Sequence, residues 1–495
     1  MNGQHPVQPP LQEAPGAVPP ALLDDIRAVV GERHLRVGAA ADVDPGTNPE
    51  NLGAGIIVAP ATTEEVAAVV RMCNGHGVPV VAHGGRTGLV GGGVSEPGEI
   101  VLSLERMNRI ERLDAVERAV VVQAGVVLET LQKAAAEHRL EPGIDLAARG
   151  SATIGGMIST NAGGVMAFRN GVMRHRVLGL EAVLADGSVY RDMTRVVKNA
   201  AGYDLKHLFI GGEGTLGIVT RAVLKLDPIP RAAATALFGL PSVTAALDLI
   251  RLALDCETGQ LRAAEALWRS FIDLTASAHG WSEPDFELDQ PIYLLLALGG
   301  AREEALRAEF EKLFGDILER HPETTGIVAG SKRQEEALWR LREDTDVIYR
   351  AHAGAPSYDV SVPLSQIDEY VERILTGLAA IDLKLKPFVF GHLADGNLHI
   401  VLDRSGPLPD KLAAAVEAVL YADIAMLGGS FSAEHGVGSK RIHSLIATAD
   451  QTKLKLMKRV KEALDGHSLM NPGKVLPFAS HPIDDSNRNG VEAHA

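Results

Sequence analysis

In this 495-residue chain the residues best suited to chemistry sit in one short segment, Phe390–Val401, FGHLADGNLHIV. Asp395-Gly396 between two apolar runs is a strong hairpin signal. With these two as the turn, Ala394 pairs with Asn397, Leu393 with Leu398, and His392 falls opposite His399. Cross-strand partners share a face, with Cβ atoms about 4.5–5.5 Å apart. Two imidazoles held that way can bind one metal ion, although a single histidine is more often a satisfied buried side chain. A second segment, FSAEHGVG at Phe431–Gly438, adds Glu434 and His435. Two histidines and one carboxylate, with positions left for substrate oxygens, form a common catalytic metal set. Glu434 and His435 would point to opposite faces of a regular strand, so the residues alone do not decide which one meets the metal. LWRLRED, Leu338–Asp344, offers Arg342, which by itself reads as part of a solvated helix face.

Glycine is in excess, 51 residues, and it is clustered. ATTEEVAAVVRMCNGHG reads as a helix, with Thr62 and Glu65 as a capping box and Gly75 or Gly77 as its stop. A strand over Val78–Ala82 and a loop over Gly84–Gly88 should follow. Such a loop lets backbone N–H groups turn toward a phosphate. Its spacing matches neither the dinucleotide fingerprint nor a Walker loop. Two further glycine-rich segments follow, Glu141–Gly164 and Gly211–Thr220. Three such loops suggest one long ligand threaded past several strand ends, and hence a dinucleotide.

These loops, in this order, resemble the FAD-binding domain of the vanillyl-alcohol oxidase and p-cresol methylhydroxylase type. Within that superfamily the chain is similar to the FAD-linked D-lactate, glycolate and D-2-hydroxyglutarate dehydrogenases. GGRTGLVGG resembles the pyrophosphate loop, which implies contacts from Gly84, Gly85, Arg86, Thr87, Gly88 and Leu89. GSATIGGMISTNAGG resembles the segment that embraces the flavin, implying Gly150, Ser151, Gly155, Gly156, Asn161 and Gly163, with Pro142 just before it. GGEGTLGIVT contributes Gly214 and Ile218. GHLADGNLHI, SAEHGVGSKR and LMNPGKVLP match the second half, and Asn471 would approach the isoalloxazine. The likeness covers roughly residues 50–480. Some superfamily members attach flavin through a histidine where this chain has Arg86, so non-covalent FAD is implied.

The resemblance also implies roles. His392, His399 and Glu434 would hold a divalent ion, zinc or manganese. His435 would be the general base, and Arg342, in a W-x-x-R pattern, would clamp the substrate carboxylate. The chemistry suits such a set. A divalent ion acidifies the substrate hydroxyl, a neutral histidine takes its proton, and the Cα hydride passes to flavin N5. A guanidinium that grips the carboxylate bidentately fixes which face of Cα meets the flavin. Hydroxyglutarate-type members carry Thr, Lys and Asn where this chain has Asp346, Ser357 and Val401. The missing lysine favours a D-lactate-like monocarboxylate over D-2-hydroxyglutarate.

Composition supports this reading. A net charge of −15 argues against nucleic acid and against an anionic membrane surface. The chain has no run of 18 apolar residues, so no membrane span is expected. Two distant cysteines exclude a disulfide framework and favour a reducing compartment, the cytoplasm. The expected fold class is α+β. Its parts are a leader over 1–40, whose first 20 residues hold six prolines and read as disordered or extended, and a FAD-binding domain over 41–230. A substrate domain with an antiparallel sheet under covering helices should span 231–440. A segment at 441–480 should return to the flavin domain, and 481–495 is a polar tail. PLSQIDEYVERILTGL should be a helix with Ser365 as N-cap and Asp368 at N3. The partners expected are a small 2-hydroxy acid and an electron acceptor (quinone, cytochrome or electron-transfer flavoprotein), and a homodimer is allowed. Two other classes compete. A metal-dependent hydrolase leaves the glycine loops unexplained, and a binding relic leaves the intact histidines and Glu434 unexplained.

Overall fold

The computed structural model describes residues 18–38, 43–281, 283 and 286–477. Two sheets build the N-terminal body. The first has strand order Leu35–Val37, Ile56–Val58, Ile100–Ser103, Val80–His83; its first pair is antiparallel and the others are parallel. The second is wholly antiparallel, in the order Ile110–Asp114, Ala119–Gln123, Ile218–Lys225, Val177–Val183, Val189–Asp192. One apolar core unites them, including Val58, Leu102, Val122 and Leu224.

Helix Pro20–Val30 sends Leu22, Ile26 and Val30 into that core. Residues 20–37 are therefore part of this body rather than a leader. Pro20 is the helix's first residue, where a missing N–H costs nothing. The expected disorder of the first residues, and the tail at 481–495, lie outside the described residues. Helix Thr63–His76 starts on Thr62, whose side chain accepts the Glu65 N–H, and stops at Gly77 with φ +66°. Glu65 reaches back to the N–H of Ala61 at 2.7 Å rather than to that of Thr62. The strand that follows is Val80–His83, two residues later than Val78 predicts.

The C-terminal body is one seven-stranded antiparallel sheet. Its order is Thr325–Val328, Ala232–Leu240, Ile292–Gly300, Gly259–Trp268, Pro387–His392, Asn397–Leu402, Ser357–Ser361. Strands Ala232–Leu240 and Ile292–Gly300 are nearly continuously apolar because helices cover both faces. Alternate residues of Ile292–Gly300 divide between the two layers. Leu294 and Leu296 face helices Val243–Leu254, Glu303–Leu318 and Ile367–Ile381. Tyr293 and Leu295 face helices Arg269–His279 and Lys332–Glu343. Ser365 does not cap helix Ile367–Ile381. The carbonyl of Pro363 takes the Gln366 N–H at 2.8 Å, and a 3-10 turn, Leu364–Gln366, leads in without a side-chain cap.

Residues 469–471 lie against the first sheet. Val80 donates to the Leu469 carbonyl and Asn471 donates to that of Val80, both at 2.8 Å, while Met470 enters the first core. Among the described residues no helix is long and apolar enough to cross a membrane.

Candidate active site

The histidine hairpin differs in register from the two-residue turn. Its connection is Leu393–Gly396, with a 3-10 turn over Leu393–Asp395 and Gly396 at φ +77°. A Cβ at Gly396 would stand 2.1 Å from the Val362 carbonyl oxygen, so only glycine fits. His392 therefore faces Asn397, and His399 faces Phe390. The slip is two residues, which preserves faces. His392 and His399 remain on one side of the sheet, diagonal neighbours with ring centroids 5.5 Å apart.

Glu434 comes from the loop after the C-terminal sheet. His392, His399 and Glu434 each offer a ligand atom, and these atoms lie within 4.8 Å of one another. His392 Nε2 is 3.8 Å from Glu434 Oε1. On its other side, His392 Nδ1 meets Glu265 Oε1 at 2.7 Å. Glu265 is buried directly across from His392 in strand Gly259–Trp268. A carboxylate on Nδ1 fixes the tautomer that leaves Nε2 for a metal. Burial depresses the His392 pKa, but the Glu265 and Glu434 carboxylates outweigh it and raise it to about 9. Burial, then the neighbouring His392, hold His399 well below its usual value. The pocket thus stabilises one positive charge between two imidazoles and a carboxylate, and a divalent ion fits that donor set.

Arg342 is not on a solvated face. Leu338, Leu341 and Arg342 form the buried side of helix Lys332–Glu343, at helical spacing. Its Nε pairs with Glu265 Oε2 at 2.7 Å, and its guanidinium lies 5.1 Å from the Phe390 ring centroid. Among the described residues, no protein acceptor takes its terminal amino groups. Glu265 thereby holds both His392 and Arg342 in place. Its own carboxyl, which burial would raise, is held low by His392 and Arg342.

Asp359 distinguishes Glu434 from His435 by its contacts. It lies in strand Ser357–Ser361, fully buried and opposite His399. Its Oδ1 meets His435 Nδ1 at 2.9 Å and also pairs with Arg441. Its Oδ2 accepts the N–H groups of Ala433, Glu434 and His435 at 2.9, 2.7 and 3.3 Å. Burial opposes its charge, yet His435 and Arg441 hold its carboxyl well below the usual carboxylate range. The carboxylate takes Nδ1 and leaves His435 Nε2 unengaged by it. The His435 ring stacks at 5.9 Å on His399, whereas Glu434 turns toward His392.

Glu434 also joins the two bodies. Its Oε1 accepts the Gly164 N–H at 2.9 Å. Gly163 and Gly156 line a cavity of about 310 Å³ together with Gly84, Gly85, Arg86, Thr87, Gly88, Leu89, Gly155, Gly214 and Ile218, and Glu434 and His435 complete its wall. The carbonyls of Arg86 and Gly88 are bound by Thr47, and that of Leu89 by Lys440. No protein acceptor takes the N–H groups of residues 85–89 among the described residues, and Arg86 Nε is buried without a partner. Free N–H groups beside a half-buried cation suit a pyrophosphate, so the cavity suits FAD.

Five of the expected residues, Pro142, Gly150, Ser151, Asn161 and Asn471, do not line this cavity. Pro142 spends its carbonyl on Arg176. Ser151 lies behind Gly85, and Gly150 has open space around it. Asn161 ends helix Ile154–Thr160 at φ +53° and accepts the Arg174 N–H. Asn471 stands behind the cavity wall, donating to the Gly92 and Glu213 carbonyls at 2.9 and 2.7 Å.

The sequence reading missed Glu265, Asp359 and Glu213. The Glu213 carboxylate accepts the Val437 and Gly438 N–H groups at 2.7 and 2.8 Å, anchoring the His435 loop to the flavin body. A signal was present for one of them, since Glu265 is an acid inside the apolar run Ala263–Trp268.

Comparison with known proteins identifies the family. Residues 54–192 match the family model "FAD binding domain", and residues 229–475 match "FAD linked oxidases, C-terminal domain". The chain is 39% identical to a D-2-hydroxyglutarate dehydrogenase of Xanthomonas citri pv. viticola, over 86% of this chain and 89% of that protein. It is 34% identical to the mitochondrial D-2-hydroxyglutarate dehydrogenase of Rattus norvegicus, over 85% and 78%. The fold matches p-cresol methylhydroxylase with a TM-score of 0.71 at 18% identity, over 93% and 97% of the two chains. The buried dyads, the donor set and the glycine-walled cavity therefore occur in a chain that belongs to the FAD-linked D-2-hydroxy-acid dehydrogenase family, oxidoreductases acting on a CH–OH donor.

Proposed function

We propose that the chain oxidises a D-2-hydroxy acid to the 2-oxo acid at the junction of the two bodies, with non-covalent FAD and one divalent ion. The supporting observation is Glu434, which bonds to Gly164 beside the glycine-walled cavity and faces His392 and His399. Donor set and cavity are thus contiguous. When bound, the flavin accepts a hydride and the ion, zinc or manganese, acidifies the substrate hydroxyl. Arg342, held by Glu265, grips the substrate carboxylate and orients Cα. His435 takes the hydroxyl proton on Nε2, and the ionised Asp359 stabilises the imidazolium that results. Removal of the ion with EDTA should abolish turnover while flavin stays bound; full activity in metal-free protein would refute the metal assignment.

The preferred acid carries a short uncharged group. Ser357 and Val401 are direct cross-strand partners, one step along the same face from Asp359 and His399. Phe388 and Phe390 flank Val401 on that face. Asp346 is exposed at the start of helix Asp346–Ala351, and Lys332 and Lys386 are exposed. The second reading, D-2-hydroxyglutarate, is favoured by the relatives' names. The ratio of kcat/KM for D-lactate and D-2-hydroxyglutarate decides between them. The two free cysteines support a cytoplasmic setting, testable by cell fractionation.

A further inference from the structure

A second hollow, of about 420 Å³, lies behind the glycine-walled cavity, between helix Gln451–Leu464 and the segments 207–216 and 468–477. Its walls include the apolar Leu216, Met457 and Leu476. The helix, QTKLKLMKRVKEAL, carries five basic residues and one acid in a chain of net charge −15. Only Leu454 of that helix is buried, and Leu456 is 59% exposed. This helix is a basic, partly apolar rim on an acidic protein. Such a rim would attract a negatively charged protein face and repel a positive one.

The hollow is separated from the flavin cavity by one layer of residues. Gly211 and Gly212 line the hollow, while the next two residues, Glu213 and Gly214, line the cavity. Asn471 lines the hollow and donates to the carbonyls of Gly92 and Glu213 on the cavity side. A carrier seated in the hollow would be one residue layer from the cavity, and electron-transfer encounters need only a small contact area.

We propose that this hollow and its lysine rim are the docking site of an acidic electron-carrier protein that reoxidises the enzyme. The inference rests on FAD occupying the glycine-walled cavity. Each turnover removes two electrons and two protons from the hydroxy acid. The carrier takes the two electrons, singly or together, and the protons pass to solvent.

The test uses the flavin-loaded enzyme, an acidic c-type cytochrome and a basic c-type cytochrome as probes, and a Lys453→Glu/Lys458→Glu variant. Both lysines are exposed and lie outside the catalytic groups. The wild type should bind the labelled acidic cytochrome with an affinity that falls as salt rises, and should reduce it faster than the basic one. The variant should bind the acidic cytochrome at least tenfold more weakly and turn its preference toward the basic one. Substrate should bleach the flavin at an unchanged rate in both. Equal binding by wild type and variant, or salt-insensitive binding, overturns the proposal. So does wild-type binding to phosphatidylglycerol vesicles in preference to the acidic cytochrome, or a salt-stable dimer that covers this helix. A flavin that no hydroxy acid bleaches would count against the oxidation reading instead, since docking is read by binding alone.

Discussion

Asp359 gives the sharpest test of the mechanism, because its side chain meets His435 Nδ1 and should act on proton transfer through that ring. His435→Ala removes the proton acceptor while leaving metal donors and flavin cavity in place. Loss of general-base catalysis costs about 10²–10⁴ in kcat, or about 2.7–5.5 kcal/mol at about 1.36 kcal/mol per decade. Asp359→Asn keeps the shape, and its amide oxygen can still accept the three N–H groups that Oδ2 takes, but its NH2 then faces His435 Nδ1 where a charged oxygen stood at 2.9 Å. The wrong tautomer then blocks Nε2, so kcat should fall by a comparable factor. Arg441, 7% exposed, loses its ionic partner as well. Stability should drop by about 3–5 kcal/mol, as for other broken buried pairs. The decisive quantity is the double variant. Residues that act as a unit are non-additive, so Asp359→Asn should cost little further rate once His435 is alanine. The assay is anaerobic flavin bleaching by saturating substrate, on protein of verified metal and flavin content. Losses that multiply would show that Asp359 acts by another route and would refute the dyad.

Other groups make separate predictions. Arg342→Ala should raise KM strongly and lower kcat, since a misplaced Cα degrades hydride-transfer geometry; an unchanged KM in steady-state kinetics would remove Arg342 from the clamp. Ser357→Lys should shift kcat/KM toward D-2-hydroxyglutarate by adding a cation on the site face, and a wild type that already prefers the dicarboxylate would show the pocket reading to be wrong. Glu265→Gln should weaken metal affinity about 10–100-fold, read by metal-buffer titration, with flavin content unchanged. Gly85→Ala would set a Cβ 1.9 Å from the Ser151 carbonyl oxygen, so the loop must shift and flavin content in the purified protein should fall. Acid precipitation should release yellow flavin into the supernatant, and flavin retained in the pellet would contradict non-covalent attachment.

Glycine clusters and the histidine segment were legible because their chemistry is local in the chain. The hairpin register was misjudged by two residues, yet the period of two kept His392 and His399 on one face. Glu265 and Asp359 were not legible. Glu265 is 127 residues from His392, and Asp359 is 76 from His435 in the hydrogen bond to its N–H. Only sheet pairing brings them together, and no local pattern encodes it. Residues 20–37 were misread because prolines dominate the start, although proline at a first helical position favours a helix. Ser365 failed as a cap because Pro363 starts a 3-10 turn just before it.

A divalent ion at His392, His399 and Glu434 and the flavin beside it should serve one reaction. Anaerobic mixing of the flavin-loaded protein with D- and L-2-hydroxy acids, followed at the flavin absorption band, tests it directly. The D-acid should bleach the flavin and the L-acid should not. EDTA-treated protein, with its flavin still bound, should stay yellow until the ion is restored. Bleaching at full rate in metal-free protein, or bleaching by both enantiomers alike, would contradict the account.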